Sequence, residues 1–278
     1  MGLHCGQTIR ARLKPSAQVG VRFFRVDLPG MPFVEADLPF VSATTHATTL
    51  QRGEARVQTV EHLLAALWAS GLTHVEVELD GPEVPILDGS SLGWLELLAR
   101  AGRAELSGQR PLARLQNPVW FEGERGAQMI GFPTSPAEEP ATFRLSVAVD
   151  FGVAGARPQT FDSEVNAHSF ARELAGARTF TLESWIEPLR AAGLIRGGSL
   201  DNAVLIGSGG TPSSPPRFAN EIARHKALDV VGDLALALCA TGARFGGHLV
   251  AIRAGHGTHR NWTTRALAAG ALLLNDEG

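Results

Sequence analysis

The order of predicted elements is the feature that most constrains the fold, because both halves of the chain end in a helix, a strand and a helix. Apolar spacing, capping residues and alternation identify the six elements. They are Val60–Ser70, His74–Leu79 and Leu92–Ala101 in the first half, then Glu221–Ala240, His248–Arg253 and a helix from about Asn261. The repeated order predicts a duplicated α+β unit, in which each copy has a small β-sheet with packed helices.

A breaker-rich stretch separates the two copies. Gly108, Pro111 and Pro118 interrupt the mixed segment Leu106–Pro118. The chain has 278 residues, about twice the usual size of one domain. We therefore predict an N-terminal α+β domain over residues 1–108 and a C-terminal α+β domain over residues 112–278.

Shorter elements and loops complete the predicted outline. Alternation predicts further strands, and the second half carries additional helical segments and two loops rich in Pro, Gly and Ser. The strands are Thr8–Leu13, Val21–Val26, Val119–Phe121, Gln128–Phe132 and Arg144–Val149, the helical segments are Ser169–Leu174 and Glu183–Ala192, and the loops are Pro133–Pro140 and Gly207–Pro216.

Composition excludes several classes of protein. A net charge of −3 and a pI near 6.3 provide no basic field for nucleic acid. The longest apolar run, Ala266–Leu274, is interrupted by Gly270 and is shorter than the roughly 18 residues that cross a bilayer. Met1–Gly6 has no secretory signal, and Cys5 and Cys239 belong to no CxxC pair. We expect a cytoplasmic protein with no stable membrane insertion.

The helix from Glu221 carries an unusual polar stripe. His225, Asp229 and Asp233 are spaced at i, i+4 and i+8, so they lie on one face of an otherwise apolar helix. Buried imidazoles and carboxylates need partners. A metal site, a hydrogen-bonded core network and a solvent-facing stripe all remain compatible with the spacing.

A second candidate is TVEHLLAAL at Thr59–Leu67, where Glu61 and His62 are adjacent in the first turn of a helix. Adjacent helical residues point about 100° apart, so one can bind a metal while the other faces a water molecule. The alternative is an ordinary Glu favoured by the helix dipole beside a partly exposed His.

A third candidate is GHGTH at Gly255–His259, directly after a predicted strand. Loops between strands and helices often hold acid or base catalysts, which makes His256 a candidate, although it could equally be a surface residue. No pattern supports His74, His168 or His259, and we predict ordinary roles for them.

Two imidazoles and one carboxylate form a plausible metal site. Catalytic zinc usually has three protein ligands and one open position. His62, His225 and Asp229 supply such donors, and Glu61 beside a water molecule would be its general base. This arrangement predicts metal-assisted hydrolysis.

Seven motifs resemble a known family, the zinc-dependent UDP-3-O-acyl-N-acetylglucosamine deacetylases of lipid A biosynthesis. They follow the family order and cover nearly the whole chain. They are GLHCG at Gly2–Gly6, TVEHLLAAL at Thr59–Leu67, PEVPILDGS at Pro82–Ser90, ARTF at Ala177–Phe180, GLIRGGSLDNAVL at Gly193–Leu205, RHKALDVVGDL at Arg224–Leu234 and AGH at Ala254–His256.

The resemblance implies two α+β domains with the active site between them, and it implies roles for eight residues. The zinc ligands match His62, His225 and Asp229, and the general base matches Glu61. The acid that protonates the departing amine matches His256, and the carboxylate that orients this acid matches Asp233. The hydroxyl that faces the oxyanion matches Thr179, and a positive charge near the substrate matches Lys226.

The resemblance also implies a passage for the substrate's acyl chain in an insert near residues 177–205. Small glycines leave space in this passage, and aliphatic side chains bury the acyl chain. The lining of this passage matches Leu194, Ile195, Gly197, Gly198 and Ser199, and Phe180 and Ile186 are expected nearby.

Two further expectations come from the resemblance. His46 falls at a position beside the catalytic metal, where with Glu61 it could bind a second, inhibitory ion. The family has an opening strand before its GLH motif, whereas Met1 stands close to that motif here, so we expect either an upstream start or a missing strand.

The sequence thus predicts a monomeric enzyme that uses Zn²⁺ to hydrolyse the N-acetyl group of an acylated UDP-sugar. One alternative is a deacetylase of another N-acyl amino sugar. The other is a carrier that binds the acylated nucleotide without turnover. Glu61, His256 and Asp233 favour an enzyme, because binding alone requires neither a base nor an acid.

Overall fold

The computed structural model describes residues 1–134, 142–152 and 157–275. The helices are α1 (Glu61–Ala69), α2 (Leu92–Ala101), α3 (Ala167–Ser169), which continues into a π turn at Phe170–Leu174, α4 (Glu183–Ala191), α5 (Glu221–Leu238) and α6 (His256–Ala268). Short 3₁₀ turns lie at Leu38–Phe40 and Glu124–Gly126. The strands are β1 (Ala11–Pro15), β2 (Gly20–Arg25), β3 (Phe33–Glu35), β4 (Val41–Ala43), β5 (Thr49–Arg52), β6 (Ala55–Gln58), β7 (His74–Leu79), β8 (Leu112–Leu115), β9 (Val119–Glu122), β10 (Gln128–Phe132), β11 (Phe143–Val149), β12 (Gln159–Glu164), β13 (Phe180–Leu182), β14 (Val204–Ile206), β15 (Arg244–Ile252) and β16 (Leu272–Asn275).

Two sheets share one strand topology. The first has the order β1-β7-β2-β3, with β7 parallel to β2 and antiparallel to β1, and β3 antiparallel to β2. The larger sheet contains β10-β15-β11-β12 with the same three relationships in the same order. The strands β7 and β15 correspond, and each lies between two helices along the chain. The mixed α+β class is confirmed, and the shared topology supports the predicted duplication.

The alternating pattern of β7 shows how local sequence builds these sheets. Val75, Val77 and Leu79 point to one face and are buried, while the residues between them are partly exposed.

The first sheet lies within residues 11–79 and the larger one within residues 112–275. The domain limits at 1–108 and 112–278 remain a prediction.

Helices α1 and α5 pack together and link the two cores. Ala65 of α1 belongs to the core of the larger sheet, and Leu236 of α5 belongs to the core of the first sheet. A Cβ atom on Gly232 would lie 2.2 Å from the carbonyl oxygen of Glu61, so only glycine permits this approach. The contact brings the start of α1 against the polar stripe of α5.

Other sequence predictions need adjustment. Helix α6 begins at His256 rather than near Asn261, because residues after the extended Gly255 already form its buried first turn. Gly207–Pro216 is a loop whose Pro212 forms one bridge with Ile206. The predicted loop at Pro133–Pro140 lies, after residue 134, outside the described residues. Within the described parts of the chain, no helix is long and apolar enough to cross a membrane.

Candidate active site

His62 of α1 meets His225 and Asp229 of α5 in a buried cluster. The Nε2 atoms of His62 and His225 lie 3.7 and 3.6 Å from Oδ1 of Asp229. Two atoms that bind one tetrahedral ion at typical zinc distances lie about 3.4 Å apart. The three side chains therefore have the spacing of a metal site.

The hydrogen bonds around this cluster also fit a cation. Oδ1 of Asp229 is buried and has no hydrogen-bond partner among the described residues, whereas Oδ2 accepts a bond of 2.7 Å from Nζ of Lys226. Nδ1 of His225 lies 3.0 Å from the carbonyl oxygen of Ala177, so it carries the proton and leaves Nε2 free to bind a metal. An unpaired buried carboxylate oxygen is costly, and a bound cation would remove that cost.

The protonation states of the cluster suit metal binding. Burial raises the pKa of Asp229, but the charges of Lys226 and the nearby imidazoles outweigh burial and hold that pKa well below its usual range. Burial and the neighbouring His225 lower the pKa of His62 to about 3. At neutral pH the cluster thus offers a carboxylate and neutral imidazoles, the forms that bind metals.

Lys226 has a more specific position than the sequence predicted. The resemblance implied a positive charge near the substrate, and Lys226 does lie on the cavity wall. Its ammonium group also pairs directly with Asp229. Lys226 therefore holds one oxygen of a potential metal ligand and also places a positive charge on the cavity wall.

Glu61 lies beside the metal-binding cluster at the start of α1. Its Oε2 accepts a hydrogen bond of 3.1 Å from the backbone N–H of Thr48, and its Oε1 lies 3.9 Å from Nε2 of His256. Desolvation by burial raises the pKa of Glu61 to about 7. A carboxylate with this pKa is matched to general-base work near neutral pH.

His256 and Asp233 form a buried pair on the other side of Glu61. Nδ1 of His256 lies 2.7 Å from Oδ2 of Asp233. Burial lowers the pKa of His256, but the charges of Asp233 and Glu61 outweigh burial and raise this pKa to about 9. His256 is therefore protonated at neutral pH and can act as a general acid.

Asp233, His256 and His259 form a second compact group of potential metal ligands. Here Oδ2 of Asp233 lies 2.7 Å from Nδ1 of both imidazoles. These are direct hydrogen bonds, and they are shorter than the separation of about 3.4 Å expected for two ligands of one tetrahedral ion. This group is arranged for proton transfer rather than for metal binding.

Sequence reasoning missed three residues at the site. His259 is buried against Asp233, although its position three residues after His256 on one helix could have indicated this. Thr48 donates its hydroxyl to Asp233 over 2.6 Å, and no local pattern identified it. His4 is buried in the cavity wall, and its two ring nitrogens have no hydrogen-bond partner among the described residues.

A cavity of about 1140 Å³ adjoins these groups. The cavity wall contains Phe180, Ile186, Ile195, Gly198 and Ser199, five of the residues that the sequence analysis named for the acyl passage. Further apolar lining comes from residues that the sequence analysis did not select, which are Leu3, Trp185, Leu189, Leu200 and Leu205. The N-terminal segment therefore contributes to the wall together with the insert.

Two of the predicted lining residues lie elsewhere. Leu194 and Gly197 are not part of the cavity wall. A Cβ atom on Gly197 would lie 2.2 Å from the carbonyl oxygen of Gly2, so this glycine permits close packing of the N-terminal segment. Leu194 donates its backbone N–H to Leu189 at the end of α4.

Thr179 and His46 both reach the cavity wall. The backbone N–H of Thr179 donates to the carbonyl oxygen of Gly89 over 2.7 Å, and the carbonyl oxygen of Thr179 accepts from the N–H of Val204 over 2.8 Å. These two hydrogen bonds fix the backbone of Thr179. His46 is exposed, has a φ of 62° and belongs to neither group of potential ligands in the described structure. Its role in binding a second metal stays a prediction.

Comparison with known proteins identifies the family. The family model described as UDP-3-O-acyl N-acetylglycosamine deacetylase matches residues 1–268. The chain belongs to this family. Similar UDP-3-O-acyl-N-acetylglucosamine deacetylases occur in Nostoc sp., with 40% identity over 96% of this chain and 94% of the relative, and in Thermosynechococcus vestitus, with 41% identity over 96% and 90%. A relative from Geobacter sp. is 38% identical over 96% of this chain and 85% of its own length.

In this member of the deacetylase family, Gly232 lies at the close contact between α1 and α5. Changing Gly232 to alanine should disturb this junction, because the added Cβ would collide with the backbone of Glu61. Overpacking of this kind costs about 1–3 kcal/mol, so we expect the melting temperature to fall by several degrees and activity to fall with it.

Thermal melts and metal content measure this effect. Gly209→Ala is the matched control, since nothing lies within 4 Å of a Cβ atom at that position. A Gly232→Ala protein with unchanged stability and activity would show that the close contact does not determine the site.

Proposed function

We propose that this chain hydrolyses the N-acetyl group of a UDP-3-O-acyl-N-acetylglucosamine and releases acetate and the free amine. The main support for the proposal is that a buried cluster of potential metal ligands and Glu61 lie together on one wall of a large cavity that is partly apolar. The names of the curated relatives support this substrate class. We also propose a monomer that acts in the cytoplasm.

We propose Zn²⁺ as the metal, held by His62, His225 and Asp229. Nitrogen and carboxylate donors without a thiolate suit a catalytic zinc site with one open position. A zinc ion held there would supply Lewis-acid chemistry, because it would polarise the amide carbonyl and lower the pKa of water. Lys226 keeps the Asp229 carboxylate ionised and leaves one of its oxygens available.

The residues around the cluster divide the proton transfers between them. Glu61 accepts a proton from the attacking water as the water oxygen bonds to the carbonyl carbon. We assign the Thr179 hydroxyl to the developing oxyanion. Two backbone hydrogen bonds, to Gly89 and from Val204, hold this residue in place. His256 then gives its Nε2 proton to the nitrogen of the sugar as the C–N bond breaks, and Asp233 stabilises the imidazolium before this transfer.

The apolar part of the cavity is suited to the 3-O-acyl chain. Phe180, Ile186, Leu200 and Leu205 provide aliphatic and aromatic surface near the reactive groups. Each buried methylene of the ligand contributes about 0.8 kcal/mol. An acyl chain bound there would hold the N-acetyl group in place, so its loss should reduce catalysis as well as binding.

An assay that compares two substrates tests the proposal. We expect release of acetate from UDP-3-O-acyl-N-acetylglucosamine, and a value of kcat/KM lower by at least about 10²-fold for UDP-N-acetylglucosamine, which lacks the acyl chain. A chelator should abolish the activity, and added zinc should restore it. Equal rates with both substrates would indicate a deacetylase of another amino sugar, and tight binding without acetate release would indicate a carrier.

A further inference from the structure

His259 is a buried imidazole that the proposed reaction does not use. It is only 1% exposed and lies one turn after His256 on α6. Its Nδ1 is 2.7 Å from Oδ2 of Asp233, the same oxygen that Nδ1 of His256 contacts at 2.7 Å. One carboxylate oxygen thus forms hydrogen bonds with two imidazoles.

The hydrogen-bond donors define the protonation of this group. The pKa of Asp233 is held well below its usual range because the two imidazoles outweigh the effect of burial, so the carboxylate is ionised and can only accept. Both histidines must therefore carry a proton on Nδ1. Burial lowers the pKa of His259, so this residue donates as a neutral imidazole.

We propose that His259 is a positioning residue that shares the Asp233 carboxylate with His256 and thereby limits how strongly that carboxylate holds the proton of the general acid. A carboxylate that already accepts a second N–H bond has less negative charge to offer to His256. Thr48 fixes the other oxygen, so the carboxylate cannot rotate away from its two imidazoles. This inference rests on the proposed role of His256 in the reaction.

Several charged and titratable groups surround His256, and the proposed effect of His259 on the protonation of His256 is transmitted through one of them, Asp233. Asp233 and Asp229 face His256 from α5, Glu61 faces it from α1, and the electrostatic fields of His4 and His46 also reach it. His62, His225 and the neighbouring His259 complete this set. A substitution at position 259 alters the hydrogen bonding of Asp233 and leaves the other groups chemically unchanged.

The experiment measures the pKa of His256 directly by histidine-selective NMR titration of the zinc-loaded protein. In His259→Leu, which removes the donor, we expect this pKa to rise by about one unit, a tenfold change in the protonation equilibrium. In His259→Asn, whose side-chain amide can still donate, we expect it to stay close to the wild-type value. The matched control is His248→Asn, at a histidine that instead contacts Ser146.

Kinetics then connects the titration to turnover. In His259→Leu the alkaline limb of kcat should move upward by the same amount, and kcat at pH 7 should fall about three- to tenfold with KM unchanged, because a more tightly held proton is transferred less readily. An unmoved or lowered pKa of His256 in His259→Leu would overturn the inference.

Two further measurements keep the test decisive. If His259→Leu does not fold, the NMR spectrum of the wild-type protein tests the inference. A His259 that is charged at pH 7, or that is protonated only on Nε2, overturns the inference. A wild-type protein that shows the expected tautomers and variant pKa values without releasing acetate would refute the proposed function and leave the coupling of His259 to His256 intact.

Discussion

Replacing Glu61 with glutamine is expected to lower kcat by about 10²- to 10⁴-fold while the bound metal is retained, because this change removes the proposed general base and none of the proposed metal ligands. The amide oxygen of glutamine can still accept the Thr48 N–H bond, so the fold should tolerate the change. Metal analysis and steady-state kinetics measure the two effects separately. Glu187→Gln is the matched control, since its side chain is 83% exposed on α4.

The pH profile adds a second readout for Glu61. The base must be deprotonated, so the rate should rise as pH increases through its pKa of about 7. The acid must be protonated, so the rate should fall as pH increases through the His256 pKa of about 9. A bound cation shifts the first limb to lower pH by favouring the carboxylate. In Glu61→Gln the acidic limb should disappear, and a variant with wild-type kcat and an intact acidic limb would exclude Glu61 as the base.

Replacing His225 with alanine is expected to abolish stoichiometric metal binding and nearly all activity. The variant loses one of three donors, and the remaining His62 and Asp229 cannot complete the coordination of a catalytic zinc. We expect metal affinity to fall by more than about 10²-fold, since even a change outside the ligand set costs about 10- to 100-fold. Metal content after dialysis and activity with added zinc measure this loss.

Thermal stability provides an independent check of His225. Metal that binds only the folded protein raises its melting temperature, so chelation should destabilise the wild type and zinc should not stabilise His225→Ala. His168→Ala is a suitable control because His168 is exposed on α3. A His225→Ala protein that keeps one tightly bound metal and full activity would rule out the proposed ligand set.

The polar stripe on α5 shows what periodicity can and cannot determine. The helical repeat places His225, Asp229 and Asp233 on one face, and the structure confirms that all three are buried. Their spacing could not distinguish a metal site from a hydrogen-bonded network. The structure places Asp229 in a group of potential metal ligands and Asp233 in a hydrogen-bonded network. Asp229 leaves an oxygen 3.6 Å from Nε2 of His225, whereas Asp233 bonds directly to two imidazoles at 2.7 Å.

The sequence was less informative about residues that act through distant partners. Thr48 bonds to both Glu61 and Asp233, and Asp233 lies 185 positions away from it along the chain. The threonine-rich surroundings of Thr48 have no distinctive pattern. Leu194 and Gly197 belong to a motif that implied an acyl passage, but neither lies in the cavity wall, and Gly197 instead packs closely against the backbone of Gly2. Motif membership identified the segment and not the direction in which each residue faces.

The sequence by itself determined the mixed α+β class, the positions of α1, α2, α5 and β7, and the residue types able to bind a metal, because these depend on local periodicity and side-chain chemistry. Only the tertiary structure decided which of these groups meet. The close approach of α5 to α1 at Gly232 brings Glu61 and His62 against His225, Asp229 and Asp233. Burial there raises the pKa of Glu61 and lowers that of His62. Neighbouring charges outweigh burial at the other two groups, raising the pKa of His256 and lowering that of Asp233. Distance and desolvation are properties of the packed chain, so no local pattern could supply them.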